Sequence, residues 1–298
     1  MISSFLARVS EDISHVLEEI LTPPAGLTPP EQRLFSAMDY AVQAGGKRVR
    51  PALVLAAYEA CGGTDRALAL RLGAAVEMVH TYTLIQDDLP CMDDDNLRRG
   101  KPTTHVAFDE ATAILASDGL QVEAFKIVAC ELPVPSDTRL ALLDVFLEAS
   151  SARGVLGGQM IDILYEKEEY VANEAELKHL QNLKTGALLQ ASCVMGGLLA
   201  GASEAELSAL KAYGSALGLI FQITDDMLDV TADSQTLGKT AGKDAAQGKA
   251  TFVTCLGMEA STAYVARLLA EGETSLSVFE DKGSLLFQIL AFVAQRTF

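Results

Sequence analysis

All nine prolines of this chain lie at or before Pro135, and residues 136–298 contain none. Proline lacks a backbone donor and its ring collides with the preceding helical turn, so its absence leaves more than half the chain open to long uninterrupted helices. The apolar pattern agrees. Near the start, Phe5, Val9, Ile13, Val16, Leu17 and Ile20 recur at three- and four-residue spacing, which marks one buried helical face. Turn-forming clusters at 22–30, 62–65, 99–104, 132–137, 166–174, 201–204, 233–248 and 271–275 cut the chain into roughly ten helical pieces. Strand-like alternation is rare, and neither a low-complexity linker nor an internal repeat separates the pieces. The expectation is an all-α protein, a single large helical bundle of about ten or more helices spanning 1–298.

At 298 residues and 49% hydrophobic content the chain can bury a large core without staples. Its five cysteines (Cys61, Cys91, Cys130, Cys193, Cys255) are odd in number and scattered, with no CxxC pair. They form neither a disulfide framework nor a zinc pattern, and a reducing cytoplasm fits best. Lys and Arg number 23 against 40 Asp and Glu, so 23 − 40 gives −17, which argues against nucleic acid or an anionic membrane as a partner. The first residues, MISSFLARVSEDISHVLEE, read as a helix and not as a secretory signal, and no stretch reaches the ~18 uninterrupted apolar residues of a membrane span.

Two acidic clusters carry the chemistry. The first is Asp87-Asp88-Leu89-Pro90-Cys91-Met92-Asp93, followed by Asp94 and Asp95, directly after the apolar run Val76 to Ile85. Taken alone it reads as a frayed helix end. The second, Phe221-Gln222-Ile223-Thr224-Asp225-Asp226-Met227-Leu228-Asp229, again sets acids in an apolar helix, with Asp225 and Asp229 at i, i+4 on one face. Carboxylates crowded in a partly dry place need cations. Mg²⁺ suits them, because it takes one or two carboxylates and completes its octahedron with water and substrate phosphate oxygens. Two such clusters facing each other across a bundle would cage several ions around a diphosphate. No HExxH, Glu-x-x-His pair or calcium-loop pattern competes.

The basic residues are grouped as well: Gly45-Gly46-Lys47-Arg48-Val49-Arg50-Pro51, Arg98-Arg99, Lys184-Thr185, then Lys239, Lys243 and Lys249. In so acidic a chain this grouping points to phosphate, which Arg meets with a planar fork and Lys with a compact charge. Lys47 and Arg50 alone would pass for surface charge at a helix start, and His80, seven residues before Asp87, for a core residue. The spacing around Gly242, Gly248 and Lys249 is not that of a P-loop.

Read together and in order, GGKRVRP, EMVHTYTLIQDD, DDLPCMD with LRRGKPT, GGQMID, LKTGALL, FQITDDMLD and LGKTAGKDAAQGKAT resemble the trans-isoprenyl diphosphate synthases, most closely the bacterial farnesyl diphosphate synthase type. The resemblance implies a helical bundle around a central cavity, a single polyprenyl synthetase domain and a homodimer. It implies that Asp87, Asp93 and Asp225 ligate Mg²⁺, about three ions in all, with Asp88, Asp226 and Asp229 nearby. Lys47, Arg50, His80 and Arg99 would grip the diphosphate of isopentenyl diphosphate. Arg98, Lys184, Lys239 and Lys249 would grip the allylic diphosphate, and Thr185 and Gln222 would turn oxygen dipoles toward developing positive charge.

The chemistry implied is ionisation of an allylic diphosphate (dimethylallyl or geranyl), attack by the double bond of isopentenyl diphosphate, and proton loss. Tyr82, five residues before Asp87 and so about 7.5 Å deeper along a helix, would form a floor favouring a C15 farnesyl product over C20. Gln86 and Asn96 stand where many relatives have His and Asp, and the end AQRTF keeps only Arg296 of the basic residues some relatives carry there. The alternatives are a geranylgeranyl diphosphate synthase, a class I terpene cyclase, which has no need of GGKRVRP or His80, and a non-catalytic partner subunit, which would be expected to lose one acidic cluster.

Overall fold

The computed structural model describes residues 2–167, 170–231 and 251–295. It divides into two compact units, the first Ser3–Leu55 with Asp65–Leu143, the second Ala56–Thr64 with the chain from Asp144 onward. Among the described residues nearly all structure is helical, as the proline pattern requires, and strand is confined to one pair of two-residue segments.

The first unit contains α1 (Ile2–Leu21, from Ser3), α2 (Pro29–Val42), the start of α3 (Val49–Ala60), α4 (Arg66–Asp87), the short α5 (Thr104–Ala107), α6 (Glu110–Lys126) and the first half of α7 (Ser136–Ser150). Strands β1 (Leu97–Arg98) and β2 (Lys101–Pro102) pair antiparallel between α4 and α5. The prolines sit where a helix tolerates them: Pro29 and Pro30 open α2, Pro51 lies in the first turn of α3 and Pro135 immediately precedes α7. On α1 the buried stripe is Phe5, Leu6, Val9, Ile13, Leu17 and Leu21. It is narrower than the apolar pattern predicts, since Val16 and Ile20 lie at its margins, half-exposed. α4 differs from it. From Ala69 to Ile85 it is buried nearly all round, which makes it the axis of this unit, packed most extensively on α6.

The second unit holds the end of α7, then α8 (Val155–Lys167), α9 (Glu174–Gln181), α10 (Ala187–Ala200), α11 (Glu204–Thr231), α12 (Phe252–Leu256), α13 (Met258–Ser275) and α14 (Ser284–Ala294). α9 starts at a reciprocal cap: Asn173 accepts from the amides of Ala175 and Glu176, and the Glu176 carboxylate accepts from the Asn173 amide at 3.0 Å. α9 passes into α10 through a single π turn, Asn182–Gly186. The run Glu174–Ala200 is long and apolar enough to cross a membrane by length and composition, but half of its apolar window is buried within the protein. α11 packs on α10 and α13, and the Tyr213 hydroxyl, fully buried, donates to the Leu286 carbonyl at 2.7 Å, tying α11 to α14.

Gly158 on α8 lies against the π turn. A Cβ added there would stand 2.3 Å from the Lys184 backbone nitrogen, closer than any real contact allows. Gly158→Ala should therefore lower the free energy of unfolding by about 1–3 kcal/mol, measured by urea denaturation, because neither backbone can give way cheaply; an unchanged midpoint would show that α8 and the π turn part without cost.

Candidate active site

At the end of α4 the chain turns back on itself. The Asp93 amide donates to the Asp87 carbonyl at 2.9 Å, and the amides of Met92 and Asp94 donate to Leu89 at 2.9 and 3.2 Å. The turn thus returns the last acid of the first cluster to the level of the first. Asp88 is 3% exposed, and both its oxygens accept from Arg98: Nε lies 2.9 Å from each and Nη2 2.6 Å from Oδ1. Burial pushes the Asp88 carboxyl up, opposed by the hydrogen bonds and charge of Arg98. Burial works against the Arg98 charge in turn, but its bonds to Asp88 and the charges of Asp88, Asp87 and Asp95 outweigh it and raise its pKa. The sequence reading set Asp88 in support of the metal ligands and Arg98 at a diphosphate; in the structure the two side chains are also paired with each other.

Arg98 is carried by the β1–β2 pair. Arg99 and Gly100 both have positive φ (54° and 76°), the backbone of a two-residue hairpin turn whose twist matches the strands. Arg99 reaches the loop between α2 and α3, where its Nη1 donates to the Gly45 carbonyl. Gly46 has φ 123°, a backbone that side chains rarely adopt, and the Arg99 guanidinium occupies the space beside it, 2.5–2.8 Å from where a Cβ would stand. In the same loop Lys47 is exposed, Arg50 is half-buried in the first turn of α3, and Arg48 is buried. Arg48 has an ion pair to Glu77 of α4 at 2.7 Å, the two side chains being 1% and 3% exposed, and also donates to the Val42 carbonyl.

His80 of α4 lies among these cations. Burial, then the charges of Arg50, Arg99, Arg98 and Arg48, hold its imidazole well below its ordinary 6.5, so it is neutral at pH 7. Lys47, Arg50, His80, Arg98, Arg99, Asp87, Asp88 and Asp93 therefore all belong to the first unit. Tyr82, 1% exposed, is in the core of the same helix, and burial raises its phenol pKa.

In the second unit the π turn carries Lys184 and Thr185. Such turns displace side chains from the α-helical register and recur at functional sites. Lys184 Nζ is paired with Asp162 of α8. Thr185 Oγ1 donates to Gln222 Oε1 at 3.3 Å, Gln222 Nε2 donates to Asp226 Oδ1 at 2.8 Å, and Asp226 Oδ2 accepts from the Phe252 amide at 2.8 Å. Asp226 is thus occupied at both oxygens, tying α11 to the start of α12. Asp225 is half-buried; Asp229 is 6% exposed, and its Oδ1 has no hydrogen-bond partner among the described residues.

Among the described residues no three carboxylate, imidazole or thiol groups converge into a closed metal cage. The buried oxygen of Asp229, without a partner among those residues, is a hard donor of the kind Mg²⁺ takes. Lys239 and Lys249, together with Lys243 and Arg296, lie outside the described residues. The sequence reading assigned no role to Glu77 or Asp162. A lone acid inside an apolar helix was the one signal for each, and it does not tell an acid facing water from one paired with a cation.

The polyprenyl synthetase family model matches residues 31–280. A farnesyl diphosphate synthase of Micrococcus luteus is 39% identical over 268 residues, 90% of this chain and 91% of its own. Geranylgeranyl pyrophosphate synthase 4 of Arabidopsis thaliana is 40% identical over 294 residues, 98% of this chain and 77% of its own. The apo structure of an FPP/GFPP synthase from Zymomonas mobilis superposes with a TM-score of 0.88 at 38% identity, covering 98% of each chain. A Helicobacter pylori geranyltransferase complexed with magnesium and isoprenyl diphosphate does so at 0.82 and 31%, covering 98% of this chain and 96% of its own. The chain belongs to the polyprenyl synthetase family of trans-prenyltransferases. Its relatives make products of different length, farnesyl in one case and geranylgeranyl in another.

The state of His80 has a consequence for pH. Its folded pKa is below the unfolded value of 6.5, so the stability gained from the neutral ring is fully present above that pH and is lost as pH falls through it toward the folded value. His80→Asn should flatten the fall in Tm between about pH 7.5 and about pH 5.5 relative to the parent protein; parallel curves would show that His80 does not couple folding to protons. In the same unit, Glu77→Ala should cost about 3–5 kcal/mol in chemical denaturation, because it strands Arg48 in the interior.

Proposed function

We propose that this chain is a Mg²⁺-dependent synthase that joins isopentenyl diphosphate to dimethylallyl or geranyl diphosphate and releases farnesyl diphosphate. The observation that carries this reading is His80 set among Arg48, Arg50, Arg98 and Arg99, an anion site of the first unit, while the second unit carries a phosphate-binding candidate of its own in Lys184. A cyclase handles one diphosphate and has no use for a second site, and a non-catalytic subunit has no reason to keep both acidic clusters. The family match spans both units, which supports one polyprenyl synthetase domain.

Lys47, Arg50, His80 and Arg99 would hold the diphosphate of isopentenyl diphosphate, the imidazole as a neutral donor that adds no charge beside the arginines. Lys184, with Arg98, Lys239 and Lys249, would hold the allylic diphosphate. Asp87 and Asp93 in the first unit and Asp225 and Asp229 in the second are the residues that would hold Mg²⁺. Asp88 and Asp226 have both oxygens engaged and serve to position Arg98 and Gln222. When bound, the metal draws off negative charge from the departing diphosphate. The Thr185 and Gln222 oxygens offer negative dipoles to the allylic cation, while the apolar lining keeps water from it. The double bond of isopentenyl diphosphate then attacks, and the proton lost on forming the new alkene goes to the released diphosphate, so no side-chain base is required.

The buried Tyr82 ring supports a C15 product. An apolar strip on α6, with Ile114, Leu115 and Val122 at 48%, 57% and 62% exposure, supports a homodimer. All five thiols are free, as a reducing compartment would leave them.

Purified protein given isopentenyl diphosphate with each starter, in Mg²⁺ or EDTA, should form C15 diphosphate by mass spectrometry in Mg²⁺ alone. Asp87→Asn or Asp225→Asn should lower kcat by at least about 100-fold, and Tyr82→Ala should extend the product to C20. A C20 product from the parent would remove the Tyr82 floor and favour the geranylgeranyl reading; no condensation with either starter would overturn the synthase.

A further inference from the structure

The β1–β2 pair that presents Arg98 and Arg99 is two residues long on each strand, too short to hold its shape unaided. Its turn also places a non-glycine residue, Arg99, at φ 54°, a conformation that persists only where surrounding contacts enforce it. Those contacts come from Asp88 at the end of α4, which holds Arg98, and from the C-terminal end of α2 and the loop after it, which hold Arg99 and β2. The Tyr40 hydroxyl donates to the Pro102 carbonyl at 2.7 Å, Lys101 Nζ lies 3.5 Å from the Gln43 carbonyl, and Arg99 itself donates to Gly45.

Of the contacts from α2 and its loop, the Tyr40 contact is the stiff one. Lys101 is a long flexible side chain at the limit of hydrogen bonding, and Arg99 is the group being positioned. The Tyr40 ring meets Phe108 edge-on at 5.6 Å and 71°, and the Arg33 guanidinium lies 5.1 Å from the Phe108 ring centroid while bonding Asp109 at 2.9 Å. A ring held edge-on by a Phe108 that Arg33 covers, with its hydroxyl on the carbonyl of Pro102, the register partner of Leu97, sets with the Asp88–Arg98 pair where the hairpin stands on the first unit.

We propose that Tyr40 is a positioning residue for substrate binding, acting through the Arg98–Arg99 hairpin to hold Arg99 against the diphosphate of isopentenyl diphosphate. This rests on the assignment of Arg99 made under Proposed function. Tyr40→Phe keeps the ring and removes only the bond to Pro102. It should raise KM for isopentenyl diphosphate about 5-fold, with kcat and KM for the allylic substrate within about 2-fold. Arg99→Gln should raise the same KM by more than about 10-fold, and the double variant should be no worse than Arg99→Gln alone, since both changes act on one contact. Should Tyr40→Phe not fold, Phe108→Leu, which frees the Tyr40 ring, should raise that KM about 2-fold. An unchanged KM in Tyr40→Phe beside a raised one in Arg99→Gln, or additive losses in the double variant, would overturn the role of Tyr40 alone. An unchanged KM in Arg99→Gln would overturn the assignment of Arg99 and this proposal with it.

Discussion

The buried pair of Arg48 and Glu77 fixes the relation between a loop and a helix on which the rest of the first unit is built. The loop after α2 has positive φ at Gly45, Gly46 and Arg48, and so makes no regular backbone ladder of its own. What holds it is a charge on each side, neither exposed beyond 3%. Two charges removed from water are costly, and their mutual attraction restores the balance only at close range and good geometry. The pair therefore specifies position more than it adds stability. With the loop pinned to α4, Arg50 falls near His80, and the Gly45 carbonyl is where Arg99 can reach it.

Much of this was legible in the sequence, for physical reasons that differ from residue to residue. The helical class follows from where proline is absent and from the apolar period, both local properties. The acidic and basic groups were visible because clustered like charge within an apolar chain demands a counter-ion. Pairing was not legible. Asp88 and Arg98 are ten residues apart, and nothing in their spacing says that a hairpin folds the arginine back onto both carboxylate oxygens. The hairpin escaped notice because two residues per strand carry no alternation to read. Glu77 and Asp162 were passed over because a single acid in a helix has the same sequence signature whether it faces water or a buried cation.

The second unit orders its polar groups differently, through a relay of hydrogen bonds that ends on a carboxylate. Thr185, Gln222, Asp226 and the Phe252 amide form one chain of hydrogen bonds, so the amide of Gln222 has only one orientation that satisfies both neighbours. Rotamer and donor direction are settled before any ligand arrives, which spares the site the reorganisation that a solvated threonine and glutamine would undergo.

The π turn at Asn182–Gly186 is a matter of counting as well as of chemistry. It inserts one residue into what would otherwise be a continuous helix from Glu174 to Ala200, shifting the phase of α10 against α9 by one position, about 100° of rotation and about 1.5 Å of rise. Removing any one residue of the five would restore an unbroken α-helix and turn the whole of α10 away from α11, whichever residue was lost. In this segment, chain length is under tighter physical constraint than side-chain identity. An alignment that tolerates a gap there would describe a different molecule.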